Sequence, residues 1–212
     1  MRVAAIADLH GRLPALPACD LLVVAGDLCP HGAPEEQAAW LDGPLRGWLE
    51  AAPADAIVAC AGNHDFVFQR APELVPDDLP WTYLQDAAGE VGGLRAWGSP
   101  WTPWFFDWAF NAPREDGEAF LAERFAAAPA PTDLLVLHGP PAGYGDRTVT
   151  GADVGAAAAV DLIDRVRPRL VVFGHIHEGR GAWERGGARL LNAAAVDAEY
   201  RLRRDPAAVV DL

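Results

Sequence analysis

The sequence predicts an α/β fold, a sheet core with helices packed outside it, and three observations carry that expectation. Short apolar runs without period-two alternation recur along the chain, each ending at Gly or polar residues, which is how strands covered on both faces read. Amphipathic stretches at helical spacing lie between several of these runs. The 212 residues contain no linker, repeat or low-complexity tract, so one domain spanning residues 1–212 is expected.

The first strand, Arg2 to Ala7, runs into Asp8, and the second, Leu21 to Ala25, into Gly26-Asp27. Pro34 to Ala52 reads as a helix: Pro-Glu-Glu opens a favourable first turn, and Trp40, Leu41, Leu45, Trp48 and Leu49 recur on one face. Ala56 to Ala61 is a third strand, ending at Gly62-Asn63-His64-Asp65. Pro80 to Pro100 is β-rich, with Trp81 to Leu84 and Leu94 to Trp97 separated by a Gly-rich turn. Glu115 to Ala128 and Ala152 to Val166 read as helices, the second stopped by Pro168. Leu134 to Leu137 is a strand before His138, and Leu170 to Phe173 one before Gly174-His175-Ile176-His177. Ala182 to Asn192, turning at Gly186-Gly187, and Ala207 to Leu212 supply the last strands.

Composition narrows the function. Seventeen basic residues, all Arg, face thirty acidic ones, for a net charge of −13. Wrapping a nucleic-acid duplex is excluded, because that affinity comes from neutralising phosphates with basic side chains. A polybasic membrane-surface role goes with it. No apolar run reaches the roughly 18 residues that span a bilayer, and Asp8 and His10 arrive before a signal peptide could form. Three cysteines, Cys19, Cys29 and Cys60, make neither a disulfide framework nor a zinc knot, so a reducing cytoplasm is the expected compartment.

The chemistry sits at strand ends. Asp8 and His10 are two apart, a spacing that in extended chain points both side chains to one face, and His175 and His177 repeat it. Asp27, Asn63 and His138 also follow predicted strands, where open α/β sheets gather ligands. Two carboxylates, four imidazoles and an amide exceed the needs of one ion, and mixed N/O ligation suits divalent first-row metals. Two ions about 3.5–4 Å apart, bridged by a carboxylate and a water-derived hydroxide, follow. Two divalent ions against two aspartates and a hydroxide leave the site near +1, so the metals attract an anion that this acidic chain otherwise repels.

Asp8-Leu9-His10, Gly26-Asp27, Gly62-Asn63-His64-Asp65, His138-Gly139 and Gly174-His175-Ile176-His177, in that order, use five of the six histidines. In this the chain resembles the calcineurin-like metallophosphoesterase superfamily. It is more closely similar to the branch of metallophosphoesterase-domain-containing phosphodiesterases. That resemblance rests on Gly98 to Trp104 with Trp108 to Asn111, His138 to Pro141, Arg167-Pro168, Gly174 to Gly179 and Asn192-Ala193.

The resemblance implies a four-layer α/β/β/α sandwich of two mixed sheets flanked by helices. It implies that Asp8, His10 and His177 hold one metal, that Asn63, His138 and His175 hold the other, and that Asp27 bridges them. His64 then contacts the phosphate with Asn63 and protonates the leaving alkoxide, helped by Asp65, while a metal-bridging hydroxide attacks phosphorus. The implied activity is hydrolysis of small phosphodiesters, with 2′,3′ and 3′,5′ cyclic nucleotides the leading candidates. A phosphomonoesterase and a catalytically silent metal-binding scaffold are the alternatives. Manganese is the expected metal, ahead of iron, zinc, nickel or magnesium.

Two positions depart from the family's patterns. Pro30 stands where purple acid phosphatases have Tyr, so no tyrosinate colour is expected. Ala194 replaces the Ser that the branch carries after Asn-Ala. Elsewhere ordinary roles are expected: Arg12 as a phosphate contact, His31 as a loop residue, Cys29 as a small buried hydrophobe. The aromatic run from Trp101 to Phe110 is expected as core under a long loop, with one ring lining a nucleobase pocket as the alternative, Arg180 as a solvated side chain, and Arg201, Arg203 and Arg204 as a solvated turn.

Overall fold

The computed structural model describes residues 1–212. In chain order the elements are β1 (Arg2–Ile6), β2 (Cys19–Ala25), α1 (Pro34–Trp40), α2 (Arg46–Glu50), β3 (Ala54–Cys60), α3 (Phe66–Arg70), β4 (Thr82–Tyr83), β5 (Ala87–Val91), β6 (Leu94–Ser99), α4 (Gly117–Phe125), β7 (Leu134–Leu137), α5 (Ala157–Val166), β8 (Leu170–Phe173), β9 (Gly181–Arg185), β10 (Ala188–Asn192) and β11 (Ala208–Asp211). Two sheets result, ordered β11-β1-β2-β3-β4 and β5-β6-β7-β8-β10-β9. Antiparallel strands lie only at the margins: β11 edges the first sheet, and β5 and β9 edge the second.

The apolar runs do not alternate because both faces of each strand are buried. Ala4 and Ile6 of β1, with Leu22 and Val24 of β2, pack against Leu41, Leu45 and Leu49 and against α3. Val3, Ala5, Leu21 and Val23 point the other way, into a second core shared with Leu134, Val136, Leu170 and Val172. From the second sheet, Leu135, Leu137, Val171 and Phe173 turn outward onto Leu121, Phe125, Leu162 and Ile163 of α4 and α5. The order is helix, sheet, sheet, helix, the four-layer sandwich expected. Full burial of one such Val or Leu is worth roughly 1.5–3 kcal/mol, which fixes strand register against a one-residue slip.

Three elements differ from expectation. The helix read from Pro34 to Ala52 contains Pro44, whose missing N–H and bulky ring would break an α-helix. A π-helical turn over Leu41–Leu45 absorbs it and joins α1 to α2. The sequence places Trp81 to Leu84 in one β-rich stretch with Leu94 to Trp97. Thr82 and Tyr83 instead extend the first sheet beside β3, and the hairpin partner of β6 is Ala87–Val91 across the Gly92-Gly93 turn. α5 begins at Ala157, five residues later than the sequence suggests, because 152–156 belongs to a loop folded on Asp146.

β1, β2, β3, β7 and β8 all run parallel within their sheets, and their carboxyl ends meet at one edge of the sandwich. The two sheets are tied together there. Ala7 N–H donates to Ala193 O at 2.9 Å, and Ala195 N–H donates to Ala7 O at 2.8 Å. No helix is long and apolar enough to cross a membrane.

Candidate metal centre

The side chains expected to converge do so, by a different backbone route from the one expected. Asp8, His10, Asp27 and His175 have φ of 56°, 45°, 54° and 68°, so they lie in left-handed turns rather than extended chain. Such backbone is sparsely populated for any residue but Gly, is best tolerated by Asn, Asp and His, and clusters at functional sites. Asp8 N–H bonds to Gly26 O at 3.0 Å and His10 N–H to Asp27 O at 2.8 Å, which zips the first two strand ends together. At Gly174 a Cβ would collide with the Asp8 carboxylate, so only Gly allows β8 to close on β1.

The donor atoms fall into two groups sharing one carboxylate. In the first, His10 Nε2 and His177 Nε2 are 3.1 Å apart, and His177 Nε2 lies 3.7 Å from Asp8 Oδ1. In the second, Asn63 Oδ1 is 2.8 Å from His138 Nε2 and 2.8 Å from His175 Nδ1. Asp27 reaches both, with Oδ2 3.6 Å from His10 Nε2 and Oδ1 3.4 Å from His138 Nε2. Ligand atoms about 2.0–2.2 Å from a shared ion are separated from each other by roughly 2.8–3.6 Å, from octahedral to tetrahedral angles, and these spacings lie in or close to that range.

The electrostatics point the same way. Asp8 and Asp27 are buried, and neither meets an arginine. Buried carboxylates are costly unless a metal or a charged partner compensates them. Burial raises the Asp8 carboxyl pKa. Burial also pushes His10 and His175 down to about 3, which leaves their imidazoles neutral, the form that ligates. His138 behaves oppositely: burial opposes its charge, but Asp27 outweighs it and brings the ring up to about 9. The same pairing holds Asp27 well below the usual carboxylate range against its own burial. Ala25 O can only accept, so His138 Nδ1 donates to it at 3.0 Å and Nε2 is the atom turned to the centre. Two carboxylates, four imidazoles and an amide oxygen, converging in this way, fit a pair of divalent ions.

His64 and Asp65 part company. The His64 ring stands 4.6 Å from His10 and 4.1 Å from Trp108, in the wall of a cavity of about 240 Å³ over the centre. Its backbone N–H donates to Asp27 Oδ1 at 2.8 Å. Asp65 does not touch that ring. Its buried carboxylate accepts the N–H groups of Cys29 at 2.8 Å, Leu28 at 3.1 Å and Gly62 at 2.8 Å, and so binds the loops after β2 and β3 to each other. Burial lifts its pKa to about 6. Arg12 is half-buried and does not line the cavity.

Several residues carry more than the sequence discloses. Trp101 and Trp108 pack on the core and Phe110 is buried in it, but Trp104, Phe105 and Phe106 are 45%, 50% and 64% exposed, so the aromatic run is only partly core. Trp104 and Phe105 line the cavity with Tyr200, whose ring lies 4.8 Å from both His10 and His177. Arg180 is not free in solvent; it donates to the carbonyls of Ala194, Pro206 and Asp205. Nor is Arg203, which bonds the His177 carbonyl at 2.9 Å. Polar residues on either side of Tyr200 give no sequence signal for this role. Cys29 is buried and His31 is an exposed loop residue, as expected.

Comparison with known proteins agrees with this geometry. The family model for calcineurin-like phosphoesterases matches residues 1–179, and the chain belongs to that family of metal-dependent phosphoesterases. Within it the chain falls in the metallophosphoesterase-domain-containing branch. It is 33% identical over 239 aligned positions to the human metallophosphoesterase domain-containing protein 1, covering 100% of this chain and 71% of the human one. Solved structures share the fold at low identity. Phosphopantetheinyl hydrolase from Mycobacterium tuberculosis aligns with a TM-score of 0.60 at 17% identity, over 98% of this chain and 95% of its own. A protein from Thermus thermophilus aligns at 0.59 and 16%, over 91% and 88%.

Proposed function

We propose that the chain is a phosphodiesterase acting on small phosphodiesters at a two-metal centre. Asp8, His10 and His177 hold one ion, Asn63, His138 and His175 the other, and Asp27 serves both. The observation that carries this reading is the pair of ligand groups sharing Asp27 beneath a cavity with His64 in its wall. When bound, the ions supply Lewis acidity and a nucleophile at neutral pH by lowering the pKa of water to about 7. Manganese is the proposed activator.

The protein's own part is orientation and proton delivery. Asn63 and His64 face the phosphoryl group, and His64 gives a proton to the departing alkoxide oxygen. Burial lowers the His64 pKa, while the neighbouring Asp27 carboxylate opposes that shift. Asp65 supports this from behind by fixing the loop that carries Asn63 and His64, not by contact with the imidazole. Cyclic nucleotides, 2′,3′ or 3′,5′, remain the leading substrates on the resemblance to the branch. Three free thiols, two of them buried, support a reducing, cytoplasmic setting.

The test is a panel of mono-, di- and cyclic phosphate esters, assayed with metal-stripped protein and with Mn, Fe, Zn, Ni or Mg restored. Mn is expected to restore activity, and bis(p-nitrophenyl) phosphate to turn over faster than p-nitrophenyl phosphate. A faster monoester, or no hydrolysis with any metal, defeats the reading. His64→Ala is expected to keep both metals and lose about 10²–10⁴-fold in diester hydrolysis.

A further inference from the structure

We propose that the cavity selects phosphate esters of a neutral aromatic alcohol, with Trp104 and Phe105 as the stacking wall and Glu178 as a fixed charge that rejects a second phosphate. The proposal deepens the phosphodiesterase reading and takes its orientation, phosphoryl group toward the ligands, from it.

The lining of the cavity is of two chemical kinds. Asp27, Asn63, His64, His175 and His177 supply the polar lining, and Pro103, Trp104 and Phe105 an apolar part of it, the Phe105 ring 6.5 Å from that of His175. Trp104 and Phe105 leave about half of their large apolar side chains in solvent, surface that a bound ring would cover. Their loop is tethered rather than free. Asn111 Nδ2 donates to the carbonyls of Phe105 and Phe106, each at 3.0 Å, so the wall is set before a ligand arrives.

The charge on the cavity lining excludes as well as attracts. No arginine lines it, and the chain contains no lysine. Arg180 and Arg203, on the loops beside it, are committed to backbone carbonyls. Glu178 does line it, and Glu178 Oε1 accepts the Val149 N–H at 2.5 Å, which holds the carboxylate in place. One phosphoryl group can satisfy the metal ligands. Arg114 stacks on Trp104, 4.9 Å from its ring, but is not among the lining residues. A second phosphate held against the lining at Glu178 would face a like charge, the repulsive element by which a site discriminates.

Binding to the Mn-loaded protein tests this without relying on turnover. Phenylphosphonate and methylphosphonate carry the same anion, and phenylphosphonate is expected to bind about tenfold more tightly. The double variant Trp104→Ala, Phe105→Ala should collapse that ratio to within about threefold. Phenylphosphonate should quench tryptophan fluorescence, and Trp104→Phe should remove most of the quench. Glu178→Gln keeps an oxygen for Val149 N–H and drops the charge. It should improve binding of phenyl diphosphate at least about fivefold relative to phenylphosphonate.

Equal binding of the two phosphonates, or a ratio that survives the double variant, overturns the stacking wall. An unchanged diphosphate ratio in Glu178→Gln overturns the excluding charge. Selective phosphonate binding without hydrolysis of any diester would sink the phosphodiesterase reading and leave this one standing; diester hydrolysis without selectivity would do the reverse.

Discussion

The side chain of Gln37, fully buried in α1, donates from Nε2 to the carbonyl of His64 at 2.7 Å. The same nitrogen donates to Pro30 O at 3.1 Å, and Oε1 accepts the Val67 N–H at 3.0 Å. One amide in the outer helix layer therefore fixes both loops that flank Asp27 and Asn63.

Gln37→Leu fills nearly the same space but strands the buried Val67 N–H and leaves two part-buried carbonyls without this partner. Each orphaned group costs about 1–3 kcal/mol, with partial relief from relaxation. We expect a loss of about 3 kcal/mol and a melting temperature lower by roughly 6–12 °C for a chain of this size. Calorimetry checks this, and a change under about 1 kcal/mol would mean that Asp65 alone suffices to hold the loops.

Asp27 is the residue common to both ligand groups, so its charge should govern both ions at once. A ligand at one hundred times its dissociation constant stabilises a protein by about 2.7 kcal/mol, here roughly 5–10 °C. Wild-type protein should show that shift on adding Mn to the stripped form. Asp27→Asn should lose most of it, with metal content by elemental analysis falling at both positions. A full shift in the variant would contradict a shared ligand.

Far from the centre, Asp133 offers a test of pH dependence. It takes three hydrogen bonds from Arg95, from its backbone N–H at 3.1 Å, Nε at 2.7 Å and Nη2 at 2.9 Å. Those bonds outweigh partial burial and hold the carboxyl down to about 2. Its folded pKa lies below the unfolded value of about 3.9. Its stabilisation is therefore complete above about pH 5 and disappears as pH falls through 4 toward 2. Arg95 is half exposed, so screening reduces the effect to about 1 kcal/mol. Asp133→Asn should be less stable by that amount at pH 7, and denaturant curves of the two proteins should merge near pH 2.

Much of the centre is legible because its residues follow buried strands. A run such as Leu170 to Phe173, apolar on both faces and cut off by Gly-His, declares where a strand ends and a site begins. What lies hidden is conformation and long-range polar contact. Left-handed φ at Asp8 and His175 depends on the turn each must make, which residue type permits but does not announce. β5 reads Ala-Ala-Gly-Glu-Val, with neither alternation nor β-branched residues before its end, and it is a strand only because β6 pairs with it. Asp65 beside His64 suggests a catalytic pair. In the fold, three N–H groups from two loops claim its oxygens first.

Gly26 and Gly47 separate a glycine that the centre requires from one it does not. Gly26 has φ +90°, and a Cβ there would fall on the His138 ring and within 2.9 Å of Ala61 O. Ala at this place meets left-handed backbone strain of about 1–2 kcal/mol. It must also displace an imidazole whose Nδ1–H is anchored on Ala25 O. Gly26→Ala should cost about 3 kcal/mol or more and deplete the ion proposed for the Asn63, His138 and His175 group before the other. Gly47, in α2, has nothing within 4 Å of an added Cβ, and Gly47→Ala should stabilise the helix by about 0.5–1 kcal/mol. Thermal melts of the two variants, with metal counted per chain, read both effects. Equal stabilities would mean that the turn at the end of β2 does not constrain His138.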